Sequence, residues 1–181
     1  MGIKFCSLQI SAFIIIVYIF QLFIPNFSDL FVLNELSYMQ IWRFFTAIFL
    51  HGNLLHLIYN LFALLLFGTI LEKLIGSKRF LLVFFISGII ANIIAVNFYE
   101  SSLGASGAIF GVIGALTLVR PSMTVFAFGM PMPLFIAALI WIGGDIMWVF
   151  FPSNVGNIAH LTGVVVGILF GVLYRDWTGK K

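Results

Sequence analysis

Apolar residues along this chain fall in long runs, and polar residues collect between them. Six runs stand out: Leu8–Ile24, Leu54–Leu71, Phe80–Phe98, Ser106–Val119, Leu134–Phe151 and Ile158–Tyr174. A bilayer core takes about 20 apolar residues of helix. None of the runs alternates apolar with polar as a barrel strand does, so the pattern predicts six membrane-spanning helices. Two segments depart from it. Pro25–Asn53 carries Trp42, Phe44, Phe45, Ile48, Phe49 and Leu50 and is too apolar to hang in water. It is expected in the membrane interface or against the bundle, with Trp42 at headgroup depth. The fourth run is short: anchored at Arg120-Pro121, it reaches about 21 Å and starts roughly 9 Å short of the far edge of a ~30 Å core. Irregular backbone at such depth must be buried in protein or line a wet cavity.

Composition removes the alternatives. Of 181 residues 62% are hydrophobic and 8% charged, with 22 Phe, so polar residues are too few to cover a soluble globule. The net charge of +3 comes from scattered basic residues, which gives no nucleic-acid footprint. One cysteine, Cys6, leaves the redox compartment open. Leu8–Ile24 looks like a signal-peptide core but lacks a small-residue cleavage site, and is taken as a mature span. No repeat or second domain is visible, so residues 1–181 are expected to form a single transmembrane domain. With the N-terminus cytoplasmic, Lys4, Lys73, Lys78, Arg79, Arg120, Arg175, Lys180 and Lys181 lie inside and only Arg43 outside. This bias predicts both termini in the cytoplasm.

Polar residues inside a membrane are costly and mark function. Measured from the inner anchor of its own helix, Ser106 stands about 21 Å up, His160 about 22 Å, His56 about 24 Å and Asn60 about 18 Å. Three helices thus bring Ser, His, His and Asn to nearly one level. Gly163, Gly167 and Gly171 recur every four residues, a spacing that lets helices approach closely. Gly107, Gly111, Gly114 and Ala115 follow Ser106 on the facing run. Their approach is expected to bring the Ser106 hydroxyl within reach of the His160 ring.

A serine hydroxyl becomes a nucleophile when a base takes its proton, and His160 is the base available. Ser106 begins a helix, where unpaired N–H groups and the dipole favour an oxyanion. Gly104 lets backbone approach a substrate. His56 and Asn60, spaced i, i+4, can donate to the same oxyanion. No carboxylate stands out as a third member. Asp145, the only acid inside a span, is read as structural, bonding Trp141 or another span or adding polarity to the cavity. A Ser–His dyad is the simpler reading.

These residues together resemble the rhomboid family of intramembrane serine proteases, over about Tyr38 to Arg175. The pieces are Trp42-Arg43, His51 with His56-x-x-x-Asn60, Gly104-Ala105-Ser106-Gly107 with Phe110-Gly111, and Ala159-His160-x-x-Gly163 followed by Gly167. The resemblance implies an all-α, six-helix rhomboid-like bundle whose short fourth helix starts inside the membrane. It also implies a water-filled cavity open to the outside. Ser106 would be the nucleophile and His160 the general base and acid. His56, Asn60, the Ser106 N–H and Gly104 would form the oxyanion hole. Trp42, Arg43, His51, Glu72, Gly107, Phe110, Gly163 and Gly167 would be structural supports. Phe110 stands where many members have Tyr; it keeps the stacking surface for the histidine and loses the hydroxyl.

The implied substrates are transmembrane proteins cut near the outer face, and no cofactor or metal is implied. The implied setting is a prokaryotic inner membrane, since the chain shows no seventh span or appended soluble domain. Two other readings use the same residues. One is a catalytically silent relative that binds transmembrane helices, although such proteins usually lack the serine or the histidine. The other is a haem protein ligated by His56 and His160, which leaves Ser106, Asn60 and the glycine loop unexplained. A transporter would call for paired broken helices in two related halves, and the chain shows none.

Overall fold

The computed structural model describes residues 4–151 and 156–177. Lys180 and Lys181, part of the inner-side charge bias, lie outside the described residues. Helix dominates. α1 spans Cys6–Phe23, α2 Leu54–Ile75, α3 Ser77–Ala95 and α6 Asn157–Tyr174, each long and apolar enough to cross a membrane. Two shorter apolar helices stand between α3 and α6: α4 at Ser106–Val119 and α5 at Leu134–Val149. α2 contains a π-wound stretch at Leu64–Gly68.

Some helix ends differ from the apolar runs because the hydrogen-bond ladder, and not hydropathy, sets them. α2 continues through Glu72 and Lys73 until Gly76, whose φ of 86° ends it and opens α3 at Ser77. α3 ends at Ala95, short of Phe98. α1 begins at Cys6 because Glu72 caps it. The Glu72 carboxylate accepts from the Cys6 and Ser7 backbone N–H groups (2.8 and 3.0 Å) and from the Ser7 and Ser77 hydroxyls (2.8 and 2.6 Å). A buried carboxylate is tolerated on such terms, and its charge suits a helix N-terminus.

Pro25–Asn53 packs on the bundle through two short helices, Phe27–Phe31 and Arg43–Thr46. Leu33, Ala47, Ile48, Phe49 and Leu50 are buried there. Arg43 is buried as well; it donates to the Asp29 and Val32 carbonyls (2.8 and 2.7 Å) and to Gln40 Oε1 (2.6 Å), tying the segment to itself. The exposed Trp42 donates from Nε1 to Leu30 O (3.3 Å). A two-residue strand pair joins Leu33–Asn34 to Ser101–Ser102. A hairpin that the run pattern did not anticipate pairs Thr124–Ala127 with Met130–Pro133. It turns through Phe128 and Gly129, both at positive φ (54° and 82°), as tight hairpins require.

α4 is the central element, buried on nearly every face, as a helix apolar all round must be. Its neighbour α6 lies against it backbone to backbone. A Cβ added at Gly163 would strike Gly107 O, and one at Gly167 would strike Gly111 O. One at Gly114 would come to 2.6 Å from Val164 O. Large apolar side chains elsewhere, such as Phe13, Leu65, Leu139 and Leu169, point outward, as an integral multi-pass membrane protein requires of lipid-facing positions.

Candidate active site

The glycine seam sets the geometry of the site. Gly107 lies against Ala159 and Gly163, so the residues beside them, Ser106 on α4 and His160 on α6, are carried to one end of the seam. Phe110, one turn after Ser106 and on the same helix face, stacks on the His160 ring. Their centroids are 4.2 Å apart and the planes 7° from parallel. The start of α6 is fixed by two further bonds: Ile158 N–H donates to Tyr99 Oη (3.0 Å) and His160 N–H to Gly156 O (3.0 Å). No hydrogen bond joins Ser106 Oγ to the His160 ring among the described residues. Catalytic hydrogen bonds are often long before substrate arrives.

Ser106 is half-buried at the first position of α4. The first N–H of α4 to find a backbone acceptor is that of Ile109, on Ala105 O (2.9 Å). The Ser106, Gly107 and Ala108 N–H groups precede it, as the unpaired donors of a helix N-terminus do. Gly104 departs from the sequence expectation. Its N–H already donates to Ala47 O (2.9 Å), so it supplies no donor to an oxyanion. Its φ of 125° turns the amide that way, and the missing Cβ makes room for the His56 ring, which a Cβ would meet at 2.7 Å.

His56 sits in the first turn of α2, its N–H capped by Asn53 Oδ1 (2.8 Å). Asn60, one turn on, is buried. It spends one amide N–H on His56 O (2.8 Å) and, among the described residues, keeps the other and leaves Oδ1 without a partner. His51, just outside α2, is buried, and Gln21 of α1 grips its backbone from both sides (2.9 and 3.2 Å). Its ring packs edge-on to His56, with centroids 5.1 Å apart. Burial first, and then the neighbouring His56, lower its pKa from 6.5 to about 4, against an opposing pull from the Phe49 carbonyl. His51 is therefore neutral at pH 7.

The sequence reading left His160 with no carboxylate, and here the structure corrects it. Asp145 of α5 places Oδ1 3.2 Å from His160 Nδ1. Both residues are nearly inaccessible, at 8% and 9% exposure. Asp145 thus bonds another span rather than Trp141, and among the described residues its Oδ2 has no partner. Tyr99 and Gln21 also escaped the sequence reading, because their bonds are to backbone atoms far along the chain. For Asp145 there was a signal: an intramembrane carboxylate needs a partner, and few polar groups share its level.

Fold and site together define an integral membrane protein that holds a serine and a histidine on adjoining, glycine-faced helices. The family described as Rhomboid domain matches residues 38–177, and the chain belongs to the rhomboid family. It is 38% identical over 128 residues to the rhomboid protease GluP of Bacillus subtilis (strain 168), covering 70% of this chain and 24% of that protein. It is 36% identical over 138 residues to the putative rhomboid protease YdcA of the same organism, covering 73% and 66%. To the RHOMBOID-like protein 6, mitochondrial, of Arabidopsis thaliana it is 32% identical over 161 residues, covering 82% and 50%. The chain thus spans less than two thirds of the length of each.

Proposed function

We propose that this protein is an intramembrane serine endopeptidase. Ser106 is the nucleophile and His160 the general base and acid. The observation that carries the reading is the α4–α6 seam with its Phe110–His160 stack, which sets the serine's helix face against the histidine ring. His160 Nε2 takes the Ser106 hydroxyl proton as Oγ bonds to the scissile carbonyl carbon. The oxyanion that forms accepts from the Ser106 N–H, the free Asn60 amide N–H and the His56 ring. The C–N bond then breaks, and the proton passes to the departing amine. Water, deprotonated by the same nitrogen, hydrolyses the acyl ester and restores Ser106.

The chain in this reading is one transmembrane domain, residues 1–181, with six crossing helices and both termini cytoplasmic in a prokaryotic inner membrane. α4 starts inside the bilayer. Substrates are transmembrane proteins cut in or near their membrane segments; cofactor and metal have no part in this chemistry. The test is cleavage of a model transmembrane substrate by the purified protein in vesicles. His160→Ala is expected to abolish cleavage while still inserting and folding. Substantial cleavage by that variant would mean that another base serves Ser106.

A further inference from the structure

The geometry points to Asp145 as a positioning residue for His160, holding the imidazole in the tautomer whose Nε2 is free to act as base; this rests on the reading of His160 as general base. An ionised carboxylate only accepts. A contact between Asp145 Oδ1 and His160 Nδ1 at 3.2 Å therefore places the ring proton on Nδ1. The neutral ring then carries its lone pair on Nε2, the one nitrogen left for the serine. Two contacts fix the ring. The Phe110 stack sets its plane, and the Asp145 bond sets its rotation within that plane. Neither alone does both.

Energetics argue against Asp145 as a mere pin between α5 and α6. Burying a carboxylate is expensive unless its oxygens are satisfied, and Oδ2 is buried with no partner among the described residues. A neutral hydrogen-bonding side chain would join the two helices at less cost. The carboxylate becomes favourable when His160 takes the serine proton, because an imidazolium then faces it where both side chains are nearly inaccessible. That interaction is stronger in the transition state than in the resting protein, which is the condition for catalysis. Asp145 takes no proton itself and touches no substrate; it acts through His160.

The experiment measures kcat and KM on a transmembrane substrate for the wild type, Asp145→Asn, His160→Ala and Ser106→Ala in vesicles. Asp145→Asn is expected to lower kcat about ten- to hundredfold with KM essentially unchanged, the worth of a hydrogen bond to a charged group. Wild-type kcat in Asp145→Asn, with Ser106→Ala and His160→Ala both dead, would overturn the positioning role and leave the protease reading standing. An inactive wild type would instead count against the protease reading. Nitrogen-15 NMR of histidine-labelled wild type needs no activity and does not depend on the stability of Asp145→Asn. With His160 assigned by its loss in His160→Ala, the proton is expected on Nδ1. A proton on Nε2 would overturn the proposal.

Discussion

Gly167→Ala probes the seam that carries the site. The added Cβ would overlap Gly111 O and lie 2.7 Å from Gly111 C and 2.8 Å from its Cα. These are backbone atoms inside a buried helix, so no side chain can swing aside. Restoring ordinary contact requires α4 and α6 to part by about 1 Å, and overpacking of this kind costs about 1–3 kcal/mol. The better helix propensity of alanine returns up to about 1 kcal/mol. The expected net loss is therefore roughly 1–2 kcal/mol of stability. Function should suffer more, because a misplacement of about 1 Å can cost on the order of a hundredfold in rate. Gly143→Ala and Gly144→Ala are internal controls, since a Cβ at either meets nothing within 4 Å. The assays are thermal unfolding in detergent and the rate of Ser106 acylation by a fluorophosphonate. If Gly167→Ala matched the controls in both, the close α4–α6 approach would not be what holds the site.

Two further perturbations test the supports. His51 has a folded pKa of about 4 against an ordinary 6.5, so between these values the unfolded chain binds more protons. The stability it contributes is present above pH 6.5 and falls as pH drops toward 4, by about 3 kcal/mol in all. Unfolding temperatures at pH 7.5 and 4.5 should therefore converge in His51→Gln relative to wild type; equal pH dependence in the two would refute the assignment. Glu72→Gln replaces an oxygen that accepts hydrogen bonds with a donor facing donors. It is expected to cost about 2–3 kcal/mol and to speed amide exchange at Cys6 and Ser7, whereas unchanged exchange there would mean that α1 is held otherwise.

Legibility in the sequence followed the range of the interaction. α4 runs Ser106–Val119 in the structure, the same bounds as its apolar run, because Arg120-Pro121 is a local stop. The glycine repeat foretold the α4–α6 approach because one helix face carries it whole. The hairpin at Thr124–Pro133 was hidden by its two prolines, Pro131 and Pro133, which argue against a strand. The Asp145–His160 pair was hidden by topology. Counted from Leu134, Asp145 stands about 17 Å up its helix, and nothing local says which neighbour it meets. The sequence places Gly104 in the oxyanion hole because nothing in it marks Ala47 O, a backbone atom, as the acceptor of the Gly104 N–H.

The central claim is that Ser106 is a nucleophile activated by His160. Labelling of the purified protein with a fluorophosphonate, with the modified residue located by mass spectrometry, tests it most directly. One adduct on Ser106 is expected, absent in Ser106→Ala and greatly slowed in His160→Ala. Labelling that persists unchanged in Ser106→Ala would contradict the account.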